Sequence, residues 1–163
     1  MKIAETAQVE IDDIDVKALI EENRTLRVIA EHSTDMISIH EPNGDYKFVS
    51  PVCRNLLGYE PSELIGRNAY EFFHPEDLEA VTESHDTIQE VPVIFTVSYR
   101  IKKKNGDYVW FETTSKTIRD SETHETQEII AVSREISERK RLEEDLAFQA
   151  THDQRTQLAN RSL

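Results

Sequence analysis

The apolar positions change period along the chain, and each change marks an element. From Asp12 to about His32, Val16, Leu19, Ile20, Ile29 and Ala30 recur at helical spacing with no Gly or Pro between them, which predicts a helix. The first ten residues are acidic and carry no such stripe, and they read as disordered. MISIHE and YKFVS are short strand-like runs, and PNGD between them is turn chemistry, so a hairpin is expected. Residues 51–73 read as broken helices, with Gly58 and Gly66 each following an apolar pair and Pro61 restarting a helix at its first turn. A further helix is expected from about Glu76 to Gln89, with Leu78, Val81 and Ile88 on one side. The period then drops to two. In VIFTVSYRIKKK, Phe95, Val97, Tyr99 and Ile101 alternate with Thr96, Ser98 and Arg100. Asn105-Gly106 turns this strand into DYVWFETTSKTIRD, and a polar loop leads to EIIAVSREIS. Ser137 to about Thr151 is helix-forming again.

Two strands, several short helices and three strands make an α+β fold, with an antiparallel sheet and helices on one face. The 163 residues have room for one ordinary domain plus extensions. The net charge of −13 argues against sequence-independent binding to nucleic acid and against docking on an anionic membrane. Cys53 is the only cysteine, which rules out a disulfide framework. No apolar run approaches the roughly 20 residues that span a bilayer. MKIAETAQVEIDDIDVK lacks the basic start and apolar core of a secretion signal, so the cytoplasm is the default location.

The pieces STDMISIHEPNGDYKFVSP, LLGYEPSELIG, FFHPEDLEAV, SYRIKKKNGDYVWFETTSKTIRD and VSREISERK occur in that order, and together they resemble a PAS domain of the sensory-box type. The resemblance covers about residues 24–137. It divides the chain into an acidic extension with the start of a flanking helix (1–22), a PAS sensor domain (23–137), a signalling helix (138–151) and the opening of a further domain (152–163). It implies a five-stranded antiparallel sheet curled around a pocket that holds a ligand or is simply core. Candidate lining residues are Ile37, Ile39, Phe48, Leu56, Leu64, Phe72, Val97, Tyr99, Trp110 and Val132. Each of them also reads as packed core.

The resemblance also bears on cofactors, none of which the sequence requires. Light-sensing flavin members carry GRNC, whose cysteine attacks the flavin. Here the segment is Gly66-Arg67-Asn68-Ala69, and alanine has no nucleophile. Cys53 is not a substitute by spacing. Haem-binding members use a histidine on the helix before the third strand, which makes His85 the one candidate axial ligand, although TESHDTIQE around it reads as a solvated face. His74 before Pro75 reads as a helix entry. His32 and His40 lack metal-ligand spacing, and no metal site is expected. No catalytic motif occurs.

The family's last strand commonly ends in an acid–aliphatic–Thr/Ser triplet that couples the sheet to the exit helix. Glu135-Ile136-Ser137 matches it, with Ser137 also placed to cap the helix. On that helix Leu142, Leu146 and Gln149 share one stripe, which fits a short coiled coil in a homodimer. His152-Asp153, Thr156, Leu158 and Asn160-Arg161 resemble the HDxLTxLxNR opening of a GGDEF (diguanylate cyclase) domain, without the catalytic residues of one. Arg155 stands where that family has a leucine. HDQRTQL also fits the HExRTPL box of histidine kinases, with Gln157 for proline and His152 as the phospho-acceptor. A third reading is a purely dimerising interaction module. The expectation is a sensor that relays a ligand or packing signal through the C-terminal helix to a cyclase output.

Overall fold

A computed structural model describes residues 2–90 and 94–151, with side chains from 16 to 89 and from 94 to 149. Helix α1 (Lys2–His32) leads into strands β1 (Met36–His40) and β2 (Tyr46–Val49). Short helices α2 (Cys53–Leu57) and α3 (Pro61–Leu64) follow, then 3-10 turns at Ala69–Phe72 and Pro75–Asp77, and helix α4 (Leu78–Glu90). Strands β3 (Phe95–Lys102), β4 (Tyr108–Arg119) and β5 (Thr126–Glu135) complete the sheet before helix α5 (Ser137–Thr151). The disorder expected for the first ten residues is not found. Helix α1 begins at Lys2, because nothing before His32 breaks it and Ala, Glu, Lys and Gln propagate it.

The sheet order is β2-β1-β5-β4-β3, antiparallel throughout. The first and last strands of the domain therefore pair in its middle. Met36 lies opposite Ser133, and His40 opposite Ile129. Strand β5 is central and runs directly into α5 through Ile136, which is buried.

The core lies between one face of this sheet and the helical segment 52–88. Met36, Leu57, Leu64, Ile101 and Phe111 are buried almost completely. The helical segment is pinned at two points. At one, Asn68 donates to the Asn43 carbonyl (3.0 Å) and to Asp45 Oδ1 (2.8 Å) while its own Oδ1 accepts from the Tyr70 N–H. At the other, Asp77 Oδ2 accepts from the Arg100 N–H (2.7 Å) and Nε–H (2.9 Å), and Oδ1 accepts from Nη2 (2.7 Å). These charge-assisted bonds hold the Asp77 carboxyl below its ordinary range. His74 Nδ1 accepts from the Glu76 N–H (3.2 Å), the helix entry expected of it.

Candidate functional site: a hydroxyl-lined cavity and the helix behind it

The period of two gives each strand an inner and an outer row of side chains. The inner rows are Met36, Ser38 and His40 on β1, Ile129, Ala131 and Ser133 on β5, Thr113 and Ser115 on β4, and Val97 and Tyr99 on β3. They face Ala69, Tyr70 and Phe73 of the short helical segment and Val81, Ser84, His85 and Ile88 of α4. Between them is a cavity of about 70 Å³. That volume takes a few waters or a molecule of a few heavy atoms.

The wall is more polar than its apolar setting leads one to expect. Tyr99 Oη lies 2.7 Å from Thr113 Oγ1, and Thr113 donates to Ser133 Oγ at 2.8 Å. A hydroxyl has one hydrogen. Thr113 spends its own on Ser133, so Tyr99 donates to Thr113, and Ser133 is in turn bonded to Tyr99, so the three hydroxyls satisfy one another. The Ser84 hydroxyl, only 5% exposed, also lines the cavity and has no partner among the described residues.

The β1–β2 turn borders the mouth. Its Pro42 carbonyl accepts from His85 Nε2 (2.9 Å) and from Gln89 Nε2 (3.1 Å), tying the turn to α4. Gly44, with φ of +92°, sits where an added Cβ would come within 3.0 Å of the Tyr70 ring. Glycine therefore serves both the turn and the close approach. His40 Nδ1 donates to the Gly44 carbonyl (3.3 Å), which leaves Nε2 to accept from the Ser38 hydroxyl (2.9 Å). Burial pulls the His40 pKa down to about 4, with nearby His85 adding to the effect. Its imidazole is therefore neutral near pH 7.

Of the ten residues expected to line a pocket, Val97 and Tyr99 do so. Leu64 and Phe72 are buried in the core beside the cavity, and Leu56 packs partly buried against that core. Ile37, Ile39, Trp110 and Val132 lie one residue out of phase with the lining positions, in the outer rows, and Phe48 of β2 is exposed. In a five-residue strand reading MISIH both phases carry apolar groups, so hydrophobicity does not choose the face. The residues missed were the small polar ones. Their signal was a repeat of Thr and Ser at alternate positions 113, 115 and 117, in register with Ser133.

The cavity also tests the cofactors that the family resemblance raised. Pockets for drug-sized ligands run to roughly 300–1,000 Å³, and the cavity here, at about 70 Å³, is smaller. The His85 Nε2 that would have to ligate iron is bonded to Pro42. His85 is half-buried and Ser84 fully so, which corrects the reading of this helix face as solvated. Ala69 does line the cavity, presenting a methyl group. Cys53 is buried elsewhere, with its thiol donating to the Tyr59 carbonyl and pushed up to about 11 by burial. Among the described residues no group of three or more His, Cys, Asp or Glu has metal-binding geometry.

Directly behind the cavity wall, the outer row of the same strands holds the exit helix. Ile136 N–H donates to the Trp110 carbonyl (2.8 Å), and Trp110 N–H donates to Ser137 Oγ (3.1 Å). The serine read as a helix cap thus joins helix to sheet. The Trp110 ring is covered by Arg100 and Lys140, each 5.2 Å from its centroid. Arg139 Nη2 donates to Glu112 Oε2 at 2.7 Å. Glu135 is exposed, and its expected coupling role has backbone pairing with Phe111 behind it but no side-chain bond among the described residues. Leu142, Leu146 and Gln149 are exposed on α5. The motif carrying Arg155 and His152 lies outside the described residues. Among the described residues no helix is long and apolar enough to cross a membrane.

Comparison with known proteins agrees with this architecture. A family model described as the PAS fold matches residues 46–132, more than half of the chain. The Drosophila melanogaster aryl hydrocarbon receptor nuclear translocator homolog is 33% identical over 105 residues, covering 64% of this chain and 16% of that protein. The chain thus spans only about a sixth of the length of this relative. Among solved structures, Drosophila melanogaster Cycle PAS-B with bound ethylene glycol is 31% identical, with a TM-score of 0.59, covering 61% of this chain and 98% of that one. The N-terminal domain of a diguanylate cyclase with PAS/PAC sensor from Marinobacter aquaeolei, at 22% identity and a TM-score of 0.58, covers 65% of this chain and 98% of that one and shares the fold. With a matching family model over most of the sheet and its helices, and with the five-stranded sheet and the helical segment packed against it in place, the chain belongs to the PAS-fold family.

Proposed function

We propose that this protein is a sensory module whose cavity takes a small uncharged molecule and whose sheet passes its occupancy to α5. No Lys, Arg, Asp or Glu lines the cavity, so nothing there offsets the desolvation of an ionic ligand. The Ser84 hydroxyl and the oxygens of the Tyr99–Thr113–Ser133 set can bond a ligand that carries oxygens or nitrogens. The ethylene glycol bound to Cycle PAS-B is a molecule of that size and polarity.

The observation that carries the reading is the back-to-back placement on β4. Thr113, three residues from Trp110, belongs to the inner hydroxyl chain, while Trp110 holds α5 on the outside. A ligand that draws Ser133 towards itself changes the pairing of β4 with β5, and β5 continues through Ile136 into α5. Such a ligand acts by its different affinity for two arrangements of the sheet. The output we propose is of the diguanylate cyclase type, supported by His152-Asp153, Thr156, Leu158 and Asn160-Arg161, and the relay works in a homodimer. Arg155 supports the alternative of a histidine kinase phosphorylated on His152.

Trp110 is the only tryptophan, which makes its fluorescence a direct reporter. Titration with ethylene glycol is expected to shift its emission and to change the exchange of α5 amides. Cavity binding that leaves both unchanged removes the relay. For the output, the natural full-length protein is assayed with GTP and with ATP. Cyclic di-GMP formation supports the cyclase, and phosphate on His152 replaces it with the kinase.

A further inference from the structure

The hydrogens around the cavity wall divide its polar groups into two kinds. A hydroxyl carries one hydrogen and two acceptor sites. Tyr99, Thr113 and Ser133 bond in a closed set, so all of their hydrogens are used within it, whichever way the set runs. Each of these oxygens keeps one acceptor site. Ser38 gives its hydrogen to His40 Nε2 (2.9 Å). Tyr70 bonds the Thr82 hydroxyl, whose own hydrogen goes to the Leu78 carbonyl (2.8 Å), so Tyr70 is the donor there. His40 and His85 have each turned an N–H to a carbonyl of the β1–β2 turn. The lining side chains that keep a hydrogen to give are Ser84 on α4 and Ser115 on β4, neither of which has a partner among the described residues. Most of the polar wall therefore accepts, and Ser84 supplies a hydrogen from the helix that faces the sheet.

We infer that the cavity selects its small neutral ligand by a hydrogen-bond donor. The class that fits is an alcohol or a primary amide. Its O–H or N–H bonds an oxygen of the Tyr99–Thr113–Ser133 set, and its own oxygen accepts from Ser84. A ketone, an ether or a diatomic gas brings no hydrogen and meets the sheet side lone pair to lone pair. Ser133 is then a specificity-determining residue, because its place in the set consumes a hydrogen that Thr113 or Tyr99 would otherwise turn into the cavity. This rests on the cavity being the ligand site proposed above.

The test is to titrate the whole 163-residue chain with propan-2-ol, acetamide and acetone, following the amide chemical shifts of Ser84 and Ala131. The probes are close in size and shape. Acetone is the easiest of them to take out of water, so a wall without preference favours it. Propan-2-ol and acetamide are expected to bind roughly fivefold more tightly than acetone. Ser133→Ala leaves one hydrogen of the set without an acceptor, and should bring acetone towards parity with propan-2-ol. Ser133→Thr keeps the hydroxyl and should keep the wild-type ratio. A cavity that is merely loosened moves all the probes alike, and unchanged Trp110 emission shows that each variant is folded. Acetone bound as tightly as propan-2-ol by the wild type, or a ratio that Ser133→Ala leaves unchanged, overturns the inference while the cavity stands as a ligand site. Cavity amides that respond to none of the probes overturn the ligand site as well.

Discussion

The two faces of the sheet carry different kinds of interaction on the same strands. On the inner face of β3–β5 the polar groups are neutral hydroxyls, bonded to one another and shielded from water. On the outer face they are charges. Arg100 and Lys140 cover Trp110, Arg139 meets Glu112, and Arg134 meets Asp35. Inside, a missing partner costs the desolvation of a buried group. Outside, water and salt replace most of what a broken pair loses. The inner face is therefore where a single lost partner has the larger effect. The outer face can release or hold a helix at little cost, which suits a part that moves.

Adjacent residues on β4 give the sharpest contrast, since Phe111 points in and Trp110 out. Phe111 is fully buried, so Phe111→Ala should destabilise by about 3–5 kcal/mol. Trp110→Ala should cost far less in urea denaturation while loosening α5. Equal costs for the two would erase the distinction between the faces.

The next effect is a pH dependence. The folded pKa of His40 is about 4, below the unfolded value near 6.5. Between those values the unfolded chain binds the proton and the native one does not. Stability is therefore full above pH 6.5 and falls as pH drops towards 4, by up to about 3 kcal/mol. His40→Gln should flatten that part of the curve relative to wild type. A wild-type profile already flat between pH 7 and 4.5 contradicts a neutral buried His40.

Breaking the hydroxyl chain comes third. Thr113→Val removes the hydroxyl bonded to both Tyr99 and Ser133 and should cost about 1–3 kcal/mol. It should also weaken ethylene glycol binding, read from Trp110 emission. The smallest effect belongs to the outer staple. Ser137→Ala removes the acceptor of the Trp110 N–H and should cost about 1 kcal/mol or less in global stability. Its signature is local, with faster amide exchange in the first turn of α5 and an unchanged melting of the sheet. Uniformly faster exchange through β4 and β5 would mean that the serine holds the sheet rather than the helix.

Much of the fold was legible locally. The hairpin turns at Gly44 and Gly106, the helix ends at Gly58 and Gly66, and the helix from Ser137 all stand where spacing and turn chemistry put them. The cavity was legible in part. Val97 and Tyr99 lie on a strand whose alternation has one apolar phase. Ile37, Ile39 and Val132 lie on strands where both phases are apolar, and there the reading chose the larger side chains, which point outwards. Bulk favoured the wrong face because Tyr70, Phe73 and α4 already occupy the inner volume, leaving room there for Ala131, Ser133 and Thr113.

Local pattern and turn chemistry were enough for the kinds of element, their order and the apolar stripe of α1. These are properties of spacing and residue type within one segment. The face each strand turns inward, the hydroxyl chain across three strands and the bonding of Ser137 to Trp110 depend on packing. Each joins residues 14 to 27 positions apart, and a period of two looks the same from either side until another layer covers one of them.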